Sequence, residues 1–495
     1  MTTSVPARRT VGGRREILAL QILVAAFLAL RLYITLNADL LGDEAYYWMW
    51  GQHLSWSYFD HPPLHAWLLR GVDLILGWHP FSVRLLTWVT LAVVLAIFWQ
   101  WAKRLAPQDP QTWFWRGAAI YLATPMFFAL TTVAYHDHLV VALMMVAGHC
   151  FVLFVERYES SRSDWRRWLL GAAAGVGLAA LAKYSAVFLA LGFAATFVQR
   201  PGLRPLLRTP WPWLAGLLAL AFQAPVLWWN FIEGGASFAY HFNERWNGDV
   251  GGFHWEHLLV FVAQTLLFGS PFLVWPIVRL LRGEAGEGFS SAAKTLAVST
   301  FAISTVALLL VSLFMNAYFY WNIPGLAVLM LLLPGAMQSP WLRAGHLAYG
   351  LLWAVIVTVN YTTIPIGTLL HRQDNGASIN YDWSRIAAHV KAARQPGDLI
   401  AATHYSTASQ LGFELGVSDV LKLSPAPSQY NYWQDLARLD NRAVIILVDL
   451  EDQRQLVDYL KQHFATLIEV DDFTIRRFGR YLYEWRILRG EGYRP

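Results

Sequence analysis

The sequence predicts a polytopic, mainly α-helical membrane protein of roughly eleven transmembrane helices, with a small soluble α/β domain at its C-terminus. Three observations carry that prediction. Of 495 residues, 56% are hydrophobic and only 14% charged, well below the quarter usual for soluble domains. The mean hydropathy is +0.36. Long apolar runs recur along the chain, and the Lys and Arg residues fall in alternate gaps between them. The 25 Trp and 21 Tyr suit membrane–water interfaces, where one end of the ring is apolar and the other wet.

The first run, 17–36, follows Arg8, Arg9, Arg14 and Arg15 and is long enough to span the hydrocarbon core. No small-x-small cleavage site follows it, so the expectation is an uncleaved first helix with its N-terminus in the cytoplasm. Later runs lie at 83–102, 117–134, 139–155, 168–182, 184–199, 211–231, 257–278, 295–315, 322–337 and 344–366. Every loop expected inside is basic: Lys103, Arg104 and Arg116; Arg157, Arg162, Arg166 and Arg167; Arg200, Arg204 and Arg208; Arg279, Arg282 and Lys294; Arg343. The opposite loops carry mainly acids, histidines and aromatics, with Arg70, Lys183 and Arg245 as exceptions. The net charge of +5 is therefore an orientation signal, not the stripe of a nucleic-acid binder. The single cysteine, Cys150, excludes an intrachain disulfide.

The first outer loop, 37–82, is too long for a turn. Its tryptophans and the apolar stretch from Leu64 to Leu76 predict short amphipathic helices along the membrane surface. The membrane part then covers 1–369. From 370 to 495 the pattern changes to a soluble α/β domain. A helix opens at Asp382-Trp383-Ser384, and another covers Gln453–His463. Strands are expected at Leu399–Ala402, Ala443–Val448, Thr466–Val470 and Tyr481–Leu488.

Chemistry concentrates on the outer side. Asp43 and Glu44 directly follow the first span, and Asp60-His61-Pro62-Pro63 lies in the same loop. Tyr135-His136-Asp137-His138 joins the third and fourth spans on that same face. The plain reading makes these helix ends and solvated turns. The functional one makes them a site, because acids at a bundle face repay their desolvation through function. A carboxylate such as Asp43 suits a base toward an acceptor hydroxyl. His61, His136, His138, Lys183 and Arg245 are candidates to hold a departing phosphate. Two alternatives stay open: Lys183 snorkels to the interface, and Asp43, Asp137 and His138 bind a divalent metal ion. No Gly-rich loop for a nucleotide is found.

Asp43-Glu44-Ala45-Tyr46-Tyr47-Trp48, followed by Tyr58-Phe59-Asp60-His61-Pro62-Pro63-Leu64, resembles the first loop of GT-C glycosyltransferases. The nearest group is the bacterial relatives of protein O-mannosyltransferases and the lipid A aminoarabinose transferase. Asp137, Leu181-Ala182-Lys183-Tyr184-Ser185 and Tyr320-Trp321-Asn322-Ile323-Pro324-Gly325 are similar to pieces of that group, as are the His404–Glu414 and Gln429–Trp433 stretches. The resemblance implies an inverting transferase using a polyprenyl-phosphate sugar, with Asp43 as the first-loop acid, either the base or an acceptor-site residue, Asp137 as second acid and Asp60-His61 at the donor phosphate. Two departures stand out. The aminoarabinose transferases carry Lys where this chain has His61, and Asn316-Ala317-Tyr318-Phe319 lacks the basic residue that relatives often place there.

The reading is a GT-C fold in a bacterial inner membrane, multi-pass, with the 370–495 domain in the periplasm. Its catalytic residues are Asp43, Glu44 and Asp137; its phosphate- and substrate-binding residues are Asp60, His61, His136, His138, Lys183 and Arg245. The partners expected are a polyprenyl-phosphate sugar donor, membrane lipids, and a hydroxyl acceptor on an envelope glycolipid, polysaccharide or protein. No cofactor is required beyond the metal ion left open. The rival classes are a transporter or flippase of lipid-linked sugars and a non-catalytic assembly protein. A transporter accounts less well for acids gathered on one face and for a soluble outer domain.

Overall fold

The computed structural model describes residues 11–241, 252–284, 290–370, 375–449 and 454–494. Its first half is a helical membrane bundle. Helix α1 covers Val11–Asn37, α2 Gly42–Gln52, α3 Leu64–Leu76 and α4 Pro80–Leu105. Then come α5 (Pro110–Ala123), α6 (Pro125–Thr132), α7 (His136–Glu159) and α8 (Trp165–Ala182). Local chemistry sets the boundaries. Asp109 accepts from the Thr112 N–H ahead of Pro110, and His79 Nδ1 accepts from the Phe81 N–H ahead of Pro80. Pro125 has no N–H to give, and Thr124 is extended, so α5 and α6 separate there.

Each of the eleven apolar runs falls on helix, but the spans are less regular than the hydropathy suggests. Among the described residues, five helices are long and apolar enough to cross a membrane, and three bent pairs bring the number to eight. The bent pairs turn by 104°, 48° and 86°, at Arg200, at Phe222-Gln223 and at Ser270. The runs 117–134 and 322–337 are broken helices, divided at Thr124 and at Leu331-Leu332, and 168–182 lies on α8 behind Arg166 and Arg167. Apolar runs report burial or lipid contact; they do not report where a helix breaks.

The segment 37–82 between the first two long helices holds α2 and α3. The free edge of α3 carries Leu74, Ile75 and Leu76, all exposed, whereas α2 is almost wholly buried. Beyond the last long helix, Pro340–Thr362, lies a mixed five-stranded sheet. Its strands are β1 (Leu399–Ala402), β2 (Leu421–Lys422), β3 (Val444–Asp449), β4 (Phe464–Arg477) and β5 (Arg480–Tyr493). The order is β2-β1-β3-β5-β4, parallel from β2 to β3 and antiparallel thereafter. Strand β3 is buried throughout, since helices cover both faces. The helix Tyr405–Leu415 and the two-residue strand β2 add to the elements expected from sequence.

The sheet and the first loop share one apolar core. Tyr46, Trp48, Met49, Trp50 and Tyr58 pack in the same cluster as Ile386, Leu411, Ile445 and Leu447. Gly42 allows the approach: a Cβ there would stand 2.6 Å from that of Ser406. Membrane helices meet as closely at Gly350, where a Cβ would lie 1.9 Å from the Ala123 carbonyl oxygen.

One buried ion pair ties these parts together. Glu44 and Arg84 are both fully buried, with Nη2 2.6 Å from Oε2 and Nε 2.9 Å from Oε1. Glu44 also accepts from the Leu41 N–H at 3.1 Å and the Ala134 N–H at 2.7 Å. Arg84 donates further to the carbonyls of Ile34, Ala38 and Asp39. Removing one member of such a pair strands a charge in the interior and costs about 3–5 kcal/mol. We expect Arg84→Met to lower the unfolding temperature in detergent sharply. Arg84→Lys should not rescue it, because an ammonium cannot fork across a carboxylate and three carbonyls. A variant as stable as the wild type would remove this pair from its central place.

Candidate functional site

A cavity of about 240 Å³ opens between the first loop, the α6–α7 junction, the end of α8 and the sheet region. Asp43 reaches it from the first turn of α2. Its Oδ1 accepts a hydrogen bond from the Tyr405 hydroxyl at 3.3 Å. Burial pushes the Asp43 carboxyl above the usual carboxylate range; the Tyr405 bond opposes this in part, and the neighbouring Glu44 charge adds to it. A second cavity of about 200 Å³ lies on the other side of Asp43, lined also by Tyr361, Asn380, Ser406 and Gln410. Asp43 and Tyr405 thus stand in a wall that two cavities share.

Facing Asp43 in the first cavity is a buried ion pair. Lys183 Nζ lies 2.7 Å from Asp137 Oδ1. Asp137 sits in the first turn of α7, where the helix dipole favours an anion. Lys183 follows the last residue of α8 in extended conformation, so its side chain leaves the helix and enters the cavity. The ammonium also lies over the Tyr320 ring, 5.1 Å from the centroid. It does not snorkel away.

The histidines cluster beside this pair. The rings of His61 and His136 are 4.4 Å apart, and Tyr47 meets His136 edge-on at 4.3 Å. His65 meets His136 edge-on from behind, 4.8 Å between centroids. Burial pushes the His65 imidazole down to about 3, so it is neutral at any physiological pH. Asp60 lines the cavity and is hydrogen-bonded to Tyr46. Its backbone carbonyl is 2.9 Å from His241 Nε2. Gln429 clamps this corner, donating its N–H to the Tyr46 oxygen at 2.7 Å and accepting the Phe59 N–H at 2.6 Å.

Of the residues singled out from sequence, Asp43, Asp60, His61, His136, Asp137 and Lys183 line the one cavity. Two others do not. Glu44, grouped with Asp43 among the acids, is turned inward and engaged by Arg84, Leu41 and Ala134. His138 is buried with its Nδ1 3.1 Å from Thr90 Oγ1. Helical geometry explains both corrections, since neighbours on a helix point about 100° apart. Arg245 lies outside the described residues. The trio Asp43, Asp137 and His138 does not converge. Among the described residues no three His, Cys, Asp or Glu side chains are gathered as a metal ion would require.

For several lining residues the sequence gives no sign of a role in the cavity: Tyr47, Tyr240, Tyr405, Pro427 and Ser428. Tyr405 is 362 residues from the carboxylate it touches. No local pattern signals such a pairing.

Known proteins resemble the chain in two ways. The family model of dolichyl-phosphate-mannose-protein mannosyltransferases matches residues 60–229, which include Asp60, His61, Asp137 and Lys183. The lipid A galacturonosyltransferase RgtD of Rhizobium johnstonii is 27% identical over 261 residues, 50% of this chain and 51% of that one. The chain thus matches about half the length of that relative. In structure, ArnT from Cupriavidus metallidurans superposes with a TM-score of 0.63 in its apo state and 0.64 bound to undecaprenyl phosphate. Either comparison covers 94% of this chain and 97% of ArnT at 14% identity, a likeness of fold. The chain is a multi-pass membrane protein with the GT-C membrane fold, and its residues 60–229 match the dolichyl-phosphate-mannose-protein mannosyltransferase model.

Proposed function

We propose that the chain is an inverting glycosyltransferase that moves a sugar from a polyprenyl-phosphate donor to a hydroxyl acceptor at the outer face of a bacterial inner membrane. The observation that carries this reading is the pairing, across one cavity, of a carboxylate with raised proton affinity and a buried ammonium. The names of the relatives support the donor class: a dolichyl-phosphate-mannose family, and a similar fold holding undecaprenyl phosphate. The lipid A relative points to an envelope glycolipid as acceptor, with a polysaccharide or protein hydroxyl as the other candidates. In this proposal residues 370–495 form a periplasmic domain and 1–369 the membrane domain.

The step balances without a nucleotide. The acceptor hydroxyl gives its proton to Asp43 while its oxygen attacks the anomeric carbon. The bond from that carbon to the phosphate oxygen breaks, and polyprenyl phosphate leaves with the electron pair. Attack from the side opposite the leaving group inverts the anomeric centre. The departing phosphate gains a charge, and Lys183, held by Asp137 and the Tyr320 face, lies where that charge grows. The imidazoles of His61 and His136 and the carboxyl of Asp60 shape the sugar end. The wall shared by two cavities lets donor and acceptor approach Asp43 from different sides.

Transfer by purified protein in nanodiscs tests this, using a panel of polyprenyl-phosphate sugars and an envelope acceptor. Asp43→Asn should lower kcat/KM by about 10²–10⁴ with donor binding kept. Release of polyprenyl phosphate that does not depend on Asp43, or movement of the intact donor across a vesicle, would remove the transferase reading. Lys183→Gln should raise the donor KM by about 10–100-fold, the worth of a charge-assisted contact.

Stability gives an independent check. The folded Asp43 carboxyl binds its proton more tightly than the unfolded one. Stability therefore falls as pH rises through the interval between those two values, and the deficit stays in full above it. Asp43→Asn should unfold at a higher temperature than wild type near neutral pH, and the gain should shrink below the ordinary carboxylate range. A variant that loses activity while gaining stability has lost chemistry, not fold.

A further inference from the structure

The β4–β5 hairpin turns at Phe478-Gly479, on the side of the sheet that meets the membrane bundle. Two arginines pin this turn. Arg477 Nη1 donates to the carbonyls of Thr362 and Thr363 at 3.1 and 3.3 Å, and its Nη2 lies 2.9 Å from Asp382 Oδ1. Arg480 Nη1 donates to the Thr368 carbonyl at 2.9 Å. Thr362 is the last residue of the 23-residue helix Pro340–Thr362, long enough to cross the hydrocarbon core. The turn therefore sits at the level where a span leaves the membrane.

What the turn presents there is unusual for a soluble surface. Phe478 is 77% exposed, and its φ of 50° lies in the left-handed region that a bulky side chain avoids. Asn, Asp or Gly would fill such a turn more cheaply. Beside it, Leu369 and Leu370 are exposed at 42% and 68%. Arg476, exposed and next along the strand, adds a cation at the rim of this apolar group. An apolar tip with a basic rim matches a bilayer surface: acyl chains below, phosphates at the edge.

We propose that the Phe478 turn, with Leu369 and Leu370, is a membrane anchor that inserts into the outer leaflet while Arg476 meets lipid phosphates. The partner is the bilayer around the protein. This anchoring is independent of the transferase reading. It fixes one end of the sheet to the membrane plane, whereas the far end, near Gly490, lies about 33 Å away along the strand.

Fluorophores attached at single cysteines test this, in full-length protein carrying Cys150→Ala. The label is placed by Phe478→Cys or, as a control beyond the far end of the sheet, by Asp440→Cys. In nanodiscs containing brominated phosphatidylcholine, the label at 478 should be quenched at least twofold and blue-shifted, and the label at 440 should not. Equal, weak quenching at both sites overturns the proposal. Replacing part of the lipid with brominated phosphatidylglycerol should increase quenching at 478, and Arg476→Gln should remove that increase. Quenching at 478 that ignores lipid charge overturns the phosphate contact while leaving the insertion. Leu370→Cys provides a second apolar position: a label there as little quenched as at 440 also overturns the anchor, whatever the folding of the 478 variant.

Discussion

Everything in the cavity hangs on the ion pair of Glu44 and Arg84. Arg84 projects from α4, and its carbonyl partners lie at the end of α1 and in the short link to α2. Glu44 projects from α2 and holds the N–H of Ala134 in the break between α6 and α7. The pair thus fixes four chain segments against one another. Asp43 is the residue before Glu44, and Asp137 comes three residues after Ala134. A carboxylate and a guanidinium buried in an apolar bundle repay their desolvation only when every lone pair and proton is used. Here nearly all are, which makes the geometry hard to deform.

The same economy explains the broken helices. A helix that stops inside the bundle leaves carbonyls without partners, and buried carbonyls need donors. Arg31 supplies them at the α6 end, donating to the Thr131 carbonyl, to Thr131 Oγ1 at 3.1 Å and to the Thr87 carbonyl at 2.8 Å. No carboxylate balances it in these bonds; the cation is held by backbone and hydroxyl oxygen. Helix breaks deliver short polar segments to the cavity: Tyr135-His136-Asp137 after α6, and Lys183 after α8. A bundle of uninterrupted spans would bury those groups along helix faces instead.

This accounts for what the sequence could and could not reveal. Composition and basic loops expose the membrane bundle, because lipid leaves few other solutions. Short apolar runs place β1 and β3, and the strands expected at Thr466–Val470 and Tyr481–Leu488 fall within β4 and β5, which the structure extends to 14 residues each. The cluster Asp43, Asp60, His61, His136, Asp137 and Lys183 is legible because each stands out against an apolar background. The partition within that cluster is not. Asp43 and Glu44 are adjacent and alike in sequence, and only the helix's rotation sends one to the cavity and the other to Arg84. His136 and His138 divide for the same reason. Arg84 sits within the apolar run 83–102, and nothing in the sequence points to Glu44 as its partner. Tyr405 lies in the His404–Glu414 stretch that resembles the family, but nothing in the sequence pairs it with Asp43, 362 residues away.

That last contact bears on how the proposed specificity divides. Lys183, Asp137 and His136 come from membrane helices, and on the proposed mechanism they meet the phosphate and the sugar next to it. Tyr405, Pro427 and Ser428 come from the sheet region and close the opposite wall. Phosphate is common to every polyprenyl-phosphate donor, so the helical half has one invariant charge to serve. Acceptors differ in shape, and the half that closes the cavity is built from a helix start and a loop, the parts of a fold that change most freely. The shared apolar core makes that freedom safe: Trp48, Leu411 and Ile445 hold the two halves in register however the loop is worded. Asp43 belongs to the first half by position and to the second by its bond to Tyr405. A single hydroxyl thus links the proton affinity of the proposed base to the half that, on this proposal, faces the acceptor.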